Sequence, residues 1–355
     1  AGKLFHAHTF FDSKYLSGFS DPKAWDDYYP SLTQQMPPES VPEKWPVNSS
    51  KKFYGGHFDW SPLPIAYSEM ADAKVVKWAK KQLAKEHEKP LFLSVGIYRP
   101  HVPWYVPQKY FDRFPLNSIE LPKHLDQDVA DLPEAAQKLT KSQWHEWIVA
   151  NKQWKKAVQG YLASLSFADD MIGELLTALD DGPLADNTTV ILWGDHGYHL
   201  GEKKHWEKFA LWENTTRVPL IVFSPQHTKP NTRCENPVSL LDLYPTLVEL
   251  CGLKSPPQKL EGQSFVDLLI CPDAVTERMA ITTQGKNNHS VRSRQHRYIQ
   301  YADGSEELYD HDNDPHEWTN LASDDRYAAT KKRLMGFLPK INAEPLLPPK
   351  NSDTN

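Results

Sequence analysis

The sequence predicts an α/β fold: a mostly parallel central sheet sandwiched by helices, followed by a small C-terminal antiparallel sheet with one helix. Three observations carry this. Helix-period and strand-like segments alternate as far as Pro272, the pattern of a parallel sheet covered on both faces. Beyond Pro272 the texture changes to short, polar, β-leaning pieces divided by turn signals. The length, 355 residues, suits one large core with a smaller one attached. We therefore divide the chain into a main domain, 1–272, and an α+β subdomain, 273–355.

The elements follow in order. Residues 12–66 are rich in Pro, Trp, Tyr and Ser without a sustained period, which reads as a long irregular excursion whose aromatics either line a cleft or staple a loop. From Ser68 to Glu88, Ala71, Val75, Trp78, Ala79 and Leu83 recur at helical spacing, and Leu91 to Gly96 then reads as a short buried strand. A second Pro-rich irregular stretch covers 100–140. The clearest helix follows, with Trp154, Val158, Tyr161, Leu165, Ala168, Ile172, Leu175 and Leu179 on one face and Asp180-Asp181-Gly182-Pro183 as its stop. Thr189–Trp193 and Val218–Phe223 read as strands and Leu240–Cys251 as an amphipathic helix. In the last portion Ala280–Thr283, Ser290–Arg294, Tyr298–Tyr301 and Glu307–Tyr309 read as strands, with a hairpin turn at Asp303-Gly304 and a helix over Ala328–Leu338. The tail from Pro345 is expected to fray.

Composition narrows the function. A net charge of −6 and a pI near 6.2 give no basic footprint for nucleic acid. No apolar stretch reaches the ~18 to 20 residues that span a bilayer, so neither nucleic acid nor membrane is an expected partner. The three cysteines, Cys234, Cys251 and Cys271, form no zinc-type C-x-x-C spacing. Asn-x-Ser/Thr triplets at Asn48, Asn187, Asn214 and Asn288 would accept glycans only in a eukaryotic secretory route.

The chemistry concentrates at Trp193 to Glu202, where the strand Val190-Ile191-Leu192 gives way to a glycine-punctuated loop carrying Asp195 and His196 side by side. Such loops at strand ends are common sites for metals and anions. A carboxylate and a neutral imidazole suit one hard divalent ion, Ca²⁺ or Mg²⁺. Alternatively, Asp195 caps the turn and His196 bonds to backbone. Arg99-Pro100-His101-Val102-Pro103-Trp104 places a cation, an imidazole and an indole just after the expected strand at 91–97, either as an anion and sugar contact or as an ordinary turn. His205-Trp206-Glu207-Lys208 could fold its lysine back over the Asp195 loop, or start a solvated helix.

Taken together, G-D-H-G-Y-H-L-G-E-K-K-H-W-E-K (194–208), R-P-H-V-P-W (99–104), R-V-P-L-I-V-F (217–223), D-L-Y-P-T-L-V-E-L-C-G-L (242–253), L-E-G-Q-S-F-V-D-L-L (260–269) and E-E-L-Y-D-H-D-N-D-P-H-E-W-T-N-L-A (306–322) resemble the type I sulfatases of the alkaline-phosphatase superfamily. Gly2-Lys3-Leu4-Phe5-His6 is most similar to the iduronate-2-sulfatase branch. The resemblance implies the alkaline-phosphatase-like fold, a sulfated carbohydrate substrate with a 2-O-sulfated uronic acid foremost, and an extracytoplasmic location, periplasmic or secreted, or lysosomal in a eukaryote. It implies that Asp195 and His196 bind Ca²⁺, that Lys208 contacts a sulfate oxygen, and that His101 faces the sulfate or the leaving oxygen. Each role is physically reasonable, since cations neutralise a transferring sulfuryl group and imidazole can deliver a proton. Arg99, Trp104, His199, His205 and Trp206 are further candidates for sugar or carboxylate recognition.

The sequence departs from that family at one point. Type I sulfatases carry a nucleophile within C-x-P-S-R or C-x-A-S-R, oxidised to formylglycine, and an Asp-Asp metal pair before it. Here Cys234 precedes Glu-Asn-Pro, Cys251 precedes Gly-Leu-Lys and Cys271 precedes Pro-Asp-Ala, and no serine version occurs. In the family both elements lie upstream of the Gly-Lys-Leu-Phe-His motif. The resemblance thus implies a C-terminal portion, with no nucleophile in this chain, whose activity needs an N-terminal sulfatase chain or segment bearing formylglycine. A phosphodiesterase or phosphonate hydrolase of the same superfamily, and a non-catalytic carbohydrate-binding relic, are the rival readings.

Overall fold

The computed structural model describes residues 1–5, 22–39 and 41–344. The chain packs as two compact units, one of residues 1–121 and 146–188, the other of residues 122–145 and 189–355. These divisions fall at other places than residue 272. The antiparallel sheet expected to stand apart is packed into the same unit as the Asp195 loop, because buried ion pairs tie the two together.

In the first unit, β1 (Trp60–Leu63) and β2 (Trp104–Pro107) pair in parallel, Trp60 opposite Trp104. The helix α1 (Ala71–Leu83) lies between them in sequence, as a parallel pair requires a crossover. The long helix α2 (Trp154–Asp180) adds Ala163, Phe167 and Met171 to the same core. Its buried residues are Ala157, Val158, Gly160, Ala163, Ser164, Phe167, Ala168, Met171 and Leu179; Val158, Ala168 and Leu179 of the expected face are among them, but elsewhere burial falls one position earlier than the larger side chains, and Leu165 is exposed. The neighbours explain the shift. Indoles fill the space, and a Cβ on Gly160 would stand 2.6 Å from Cβ of Trp60.

Leu91–Gly96, expected as a central strand, forms among the described residues a single parallel bridge, Gly96 to Gly2, and Leu91 and Phe92 are exposed. Both glycines are required there, since a Cβ on Gly2 would lie 2.0 Å from the Gly96 carbonyl oxygen.

In the second unit, β3 (Val190–Trp193) pairs antiparallel with β6 (Leu220–Phe223). Between them the chain forms a short hairpin of β4 (His199–Leu200) and β5 (Trp206–Glu207). The helix α3 (Leu243–Leu250) follows a 3₁₀ turn capped by Ser239. The strands β7 (Ala280–Thr283), β8 (His289–Arg292), β9 (His296–Gln300) and β10 (Glu306–Asp310) make the antiparallel sheet in the order 10-9-8-7. Tyr301 to Ser305 closes the β9–β10 hairpin, with Gly304 at φ +85°, as Asp303-Gly304 predicts. Helix α4 (Ala328–Met335) seats Leu334 on Val291, Tyr298 and Leu308. Among the described residues no helix is long and apolar enough to cross a membrane. The tail from Pro345 lies outside the described residues.

Candidate active site

The Asp195 loop is shaped by the segment that follows it. Gly197 N–H donates to the Thr215 carbonyl (2.7 Å) and Tyr198 N–H to that of Asn214 (2.7 Å). Nothing larger than glycine fits at 197, where a Cβ would meet the Asn214 carbonyl oxygen at 2.0 Å. Asp195 is thereby left exposed, its side chain 73% accessible, while His196 is 28% accessible.

The contacts found at this pair are those of the local alternative, in which the two side chains bond to nearby backbone. Asp195 Oδ1 accepts from the His196 N–H (3.1 Å), and His196 Nδ1 lies 2.8 Å from the Gly197 carbonyl oxygen. A carbonyl only accepts, so Nδ1 carries the proton and Nε2 its lone pair. That lone pair faces Asp195 Oδ2 at 3.7 Å. An imidazole whose far nitrogen is fixed by a backbone carbonyl is the usual arrangement of a metal-ligating histidine. The donor set, one carboxylate and one imidazole, therefore fits part of a divalent-ion site, with further ligands needed from elsewhere.

Lys208 reaches the same loop through the β4–β5 hairpin, where His199 pairs with Glu207 and Leu200 with Trp206. Burial lowers its pKa, while the carboxylates of Asp195 and Glu207 act in the opposite direction. It is a half-buried ammonium in the field of Asp195.

The five side chains expected to read the sugar are buried instead. Arg99 donates from Nε and Nη2 to the Tyr105 carbonyl and pairs with the buried Glu39 (3.3 Å). Trp104 packs on Trp60 and donates to the Pro100 carbonyl (2.8 Å). His199 bonds through Nδ1 to Thr215 Oγ1 (2.9 Å). His205 Nε2 lies 2.9 Å from the Lys208 carbonyl oxygen, and the Trp206 indole donates to His145 Nδ1 (3.3 Å). Each gains from packing because a partner satisfies a polar end, a backbone carbonyl for Arg99, Trp104 and His205 and a side chain for His199 and Trp206. In the first unit His101 is half-buried, its Nδ1 bound to the Val102 carbonyl oxygen (2.7 Å), so in the neutral ring Nε2 holds the lone pair.

Sequence reasoning missed the supports. Lys203 is fully buried, donating to Asp128 Oδ1 (2.9 Å) and the Glu317 carbonyl (2.5 Å), with its charge over the rings of Trp212 and Tyr309. Glu213, His311 and Glu317 bring their ligand atoms within 4.8 Å of one another. Here, however, Arg297 bonds both carboxylates and Arg292 bonds Glu213. Burial pushes the Glu213 carboxyl up, but the two guanidiniums outweigh it and hold it well below the usual range. This cluster already holds the positive charge a cation would bring. Its only sequence signal was Glu317 and His311 inside the string at 306–322, to which no role attached.

Comparison with known proteins decides the family. Residues 6–253 match the sulfatase family. The chain belongs to the sulfatases. Residues 201–344 also match the C-terminal region of N-sulphoglucosamine sulphohydrolase. A sulfatase of Formosa agariphila is 42% identical over 299 residues, 83% of this chain and 59% of that protein. Iduronate 2-sulfatase of Mus musculus is 33% identical over 212 residues, 49% of this chain and 38% of that protein. The sulfatase chain described here therefore spans between 38% and 59% of the length of these two relatives. Of solved structures, one of a protein with its substrate D-glucosamine-2-N,6-O-disulfate superposes with a TM-score of 0.65 at 20% identity, over 75% of this chain and 68% of that one. The phosphonate monoester hydrolase of Agrobacterium radiobacter gives 0.65 at 21% identity, over 78% and 61%. These two likenesses are of fold, the alkaline-phosphatase-like α/β architecture.

Proposed function

We propose that this chain is the C-terminal part of a sulfuric-ester hydrolase that removes sulfate from a sulfated carbohydrate, foremost a 2-O-sulfated uronic acid. The observation that carries it is the geometry of Asp195 and His196, a carboxylate oxygen and an imidazole lone pair 3.7 Å apart, with Lys208 returned to their field by a hairpin. A Ca²⁺ ion held there, or Mg²⁺ in its place, would neutralise charge on the sulfate oxygens. Lys208 contributes a second positive charge to the same anion. His101, whose lone pair sits on Nε2 when neutral, takes up a proton and delivers it to the departing sugar oxygen.

The attacking group comes from elsewhere in this reading. A formylglycine on an N-terminal chain or segment would supply the nucleophilic oxygen, since none of Cys234, Cys251 and Cys271 lies in the required motif. Exposed apolar side chains on the β3–β6 ladder, Trp193, Ile221 and Phe223, support a covering polypeptide there. The proposed compartment is extracytoplasmic.

The test has two arms. Calcium titration of the protein assembled with its N-terminal part should show binding that Asp195→Asn weakens by at least tenfold. Parallel assays on an aryl sulfate, an aryl phosphate diester and a 2-O-sulfated uronate disaccharide should favour sulfate. A preference for the diester would make the phosphonate-hydrolase reading correct, and glycan binding without turnover would make it a binding relic.

A further inference from the structure

We propose that His205 is a positioning residue for Lys208: its Nε2–H fixes the Lys208 carbonyl and so aims the lysine ammonium at the anion. This rests on the reading of Lys208 as a sulfate contact. Three observations carry it. The bond from the buried His205 Nε2 to the carbonyl oxygen of the half-buried Lys208 is 2.9 Å, and since the partner is a carbonyl, Nε2 must be the donor. Lys208 sits between Glu207 at φ +80° and Phe209 at φ +71°, two non-glycine residues in the left-handed region, a conformation that persists only when its surroundings over-determine it.

The imidazole is itself immobilised. Its ring meets that of His199 edge-on at 5.0 Å, and both meet the Trp212 indole, at 6.0 and 5.7 Å. Trp212 donates to the buried Glu307 (2.8 Å), and His199 is tied to Thr215. A second bond, Gly201 N–H to the His205 carbonyl (3.0 Å), holds the His205 backbone. The strained turn that carries Lys208 is thus clamped from its inner side by one N–H on a rigid aromatic frame. Burial also lowers the His205 pKa to about 4, which keeps a single ring proton in place at neutral pH.

The test uses the assembled sulfatase with His205→Phe, which keeps the ring volume without the donor, and with His205→Gln, which returns an N–H near Nε2. Displacing a charged group by about 1 Å costs on the order of 10²-fold. His205→Phe should therefore lower kcat/KM on an aryl sulfate ten- to a hundredfold and raise the inhibition constant of inorganic sulfate by a similar factor. His205→Gln should recover most of both. In a Lys208→Met background, His205→Phe should change activity less than threefold, because the group it aims is gone.

Wild-type activity in folded His205→Phe overturns the proposal, as does an equal loss in both backgrounds. Should His205→Phe fail to fold, His205→Asn, which moves the amide to the Nδ1 position, replaces it, and equal activity of the Gln and Asn variants overturns the proposal. Lys208→Met with wild-type turnover defeats the reading of Lys208, and with it this inference. Absence of sulfate release by the assembled wild type defeats the functional reading itself.

Discussion

Acid should loosen the Lys208 hairpin, through His205 first. The side chain has no accessible surface, and burial lowers its pKa from an ordinary 6.5 to about 4. The unfolded chain therefore binds this proton before the folded one does. Its stabilising effect is complete above about pH 6.5 and is lost as the pH falls toward 4. At pH 5 the unfolded histidine is almost wholly charged and the folded one about a tenth charged, so the loss is about 2 kcal/mol. His199, shifted down by burial and by His205, adds to it with the same sign. Urea unfolding of wild type and His205→Phe, followed by tryptophan fluorescence at pH 7 and pH 5, isolates the effect. The wild type should lose about 2 kcal/mol more than the variant between the two pH values. Equal losses would refute the assignment of His205 as a buried neutral imidazole.

Other perturbations follow from named contacts. Lys203→Met removes the buried partner of Asp128 and should destabilise the second unit by about 3 to 5 kcal/mol, read from the urea midpoint. Adding Asp128→Asn should recover part of the loss, and no recovery would show that Asp128 is not the stranded charge. Gly160→Ala drives a methyl group toward Trp60 and should cost about 1 to 3 kcal/mol. An unchanged melting temperature would show that α2 and β1 are not packed at that distance.

Much of this chain was legible because its elements are local. The long helix stops at Asp180-Asp181-Gly182, and the four C-terminal strands lie within a residue or two of their expected places, because turn chemistry and apolar period are written in adjacent residues. The Leu91–Gly96 run differs for the opposite reason: a short apolar run signals a strand only if partners lie beside it, and among the described residues its one bridge is to Gly2. Where burial on α2 falls one position before the expected side chain, as at Gly160 before Tyr161, the cause is related. Periodicity weights large side chains, whereas the faces of Trp60 and Trp104 select small ones. At the proposed site, adjacency on the chain is what drew attention to Asp195 and His196, whose Oδ2 and Nε2 lie 3.7 Å apart. It could not tell a histidine that touches a ligand from one that holds a backbone, because that difference lies in burial and in which ring nitrogen meets a carbonyl.

The supports of the loop were invisible for a stronger reason. Lys203 is fastened by Asp128, 75 residues earlier in the chain, and by Glu317, 114 residues later. Glu213, just after the Lys208 hairpin, is bonded by Arg297 of β9, 84 residues away. Each bond is local in space and remote in sequence, so no motif records it. Their arrangement has a consequence for the chemistry. The half-buried Lys208, proposed to contact the anion, stands on a stretch with several residues in the left-handed region, Lys203, Lys204, Glu207 and Phe209. Such a stretch would relax if it depended on its own hydrogen bonds alone. Fixing Lys203 and Glu213 to the C-terminal sheet anchors it on both sides, which turns that sheet from an appendage into part of the frame that sets where Lys208 points.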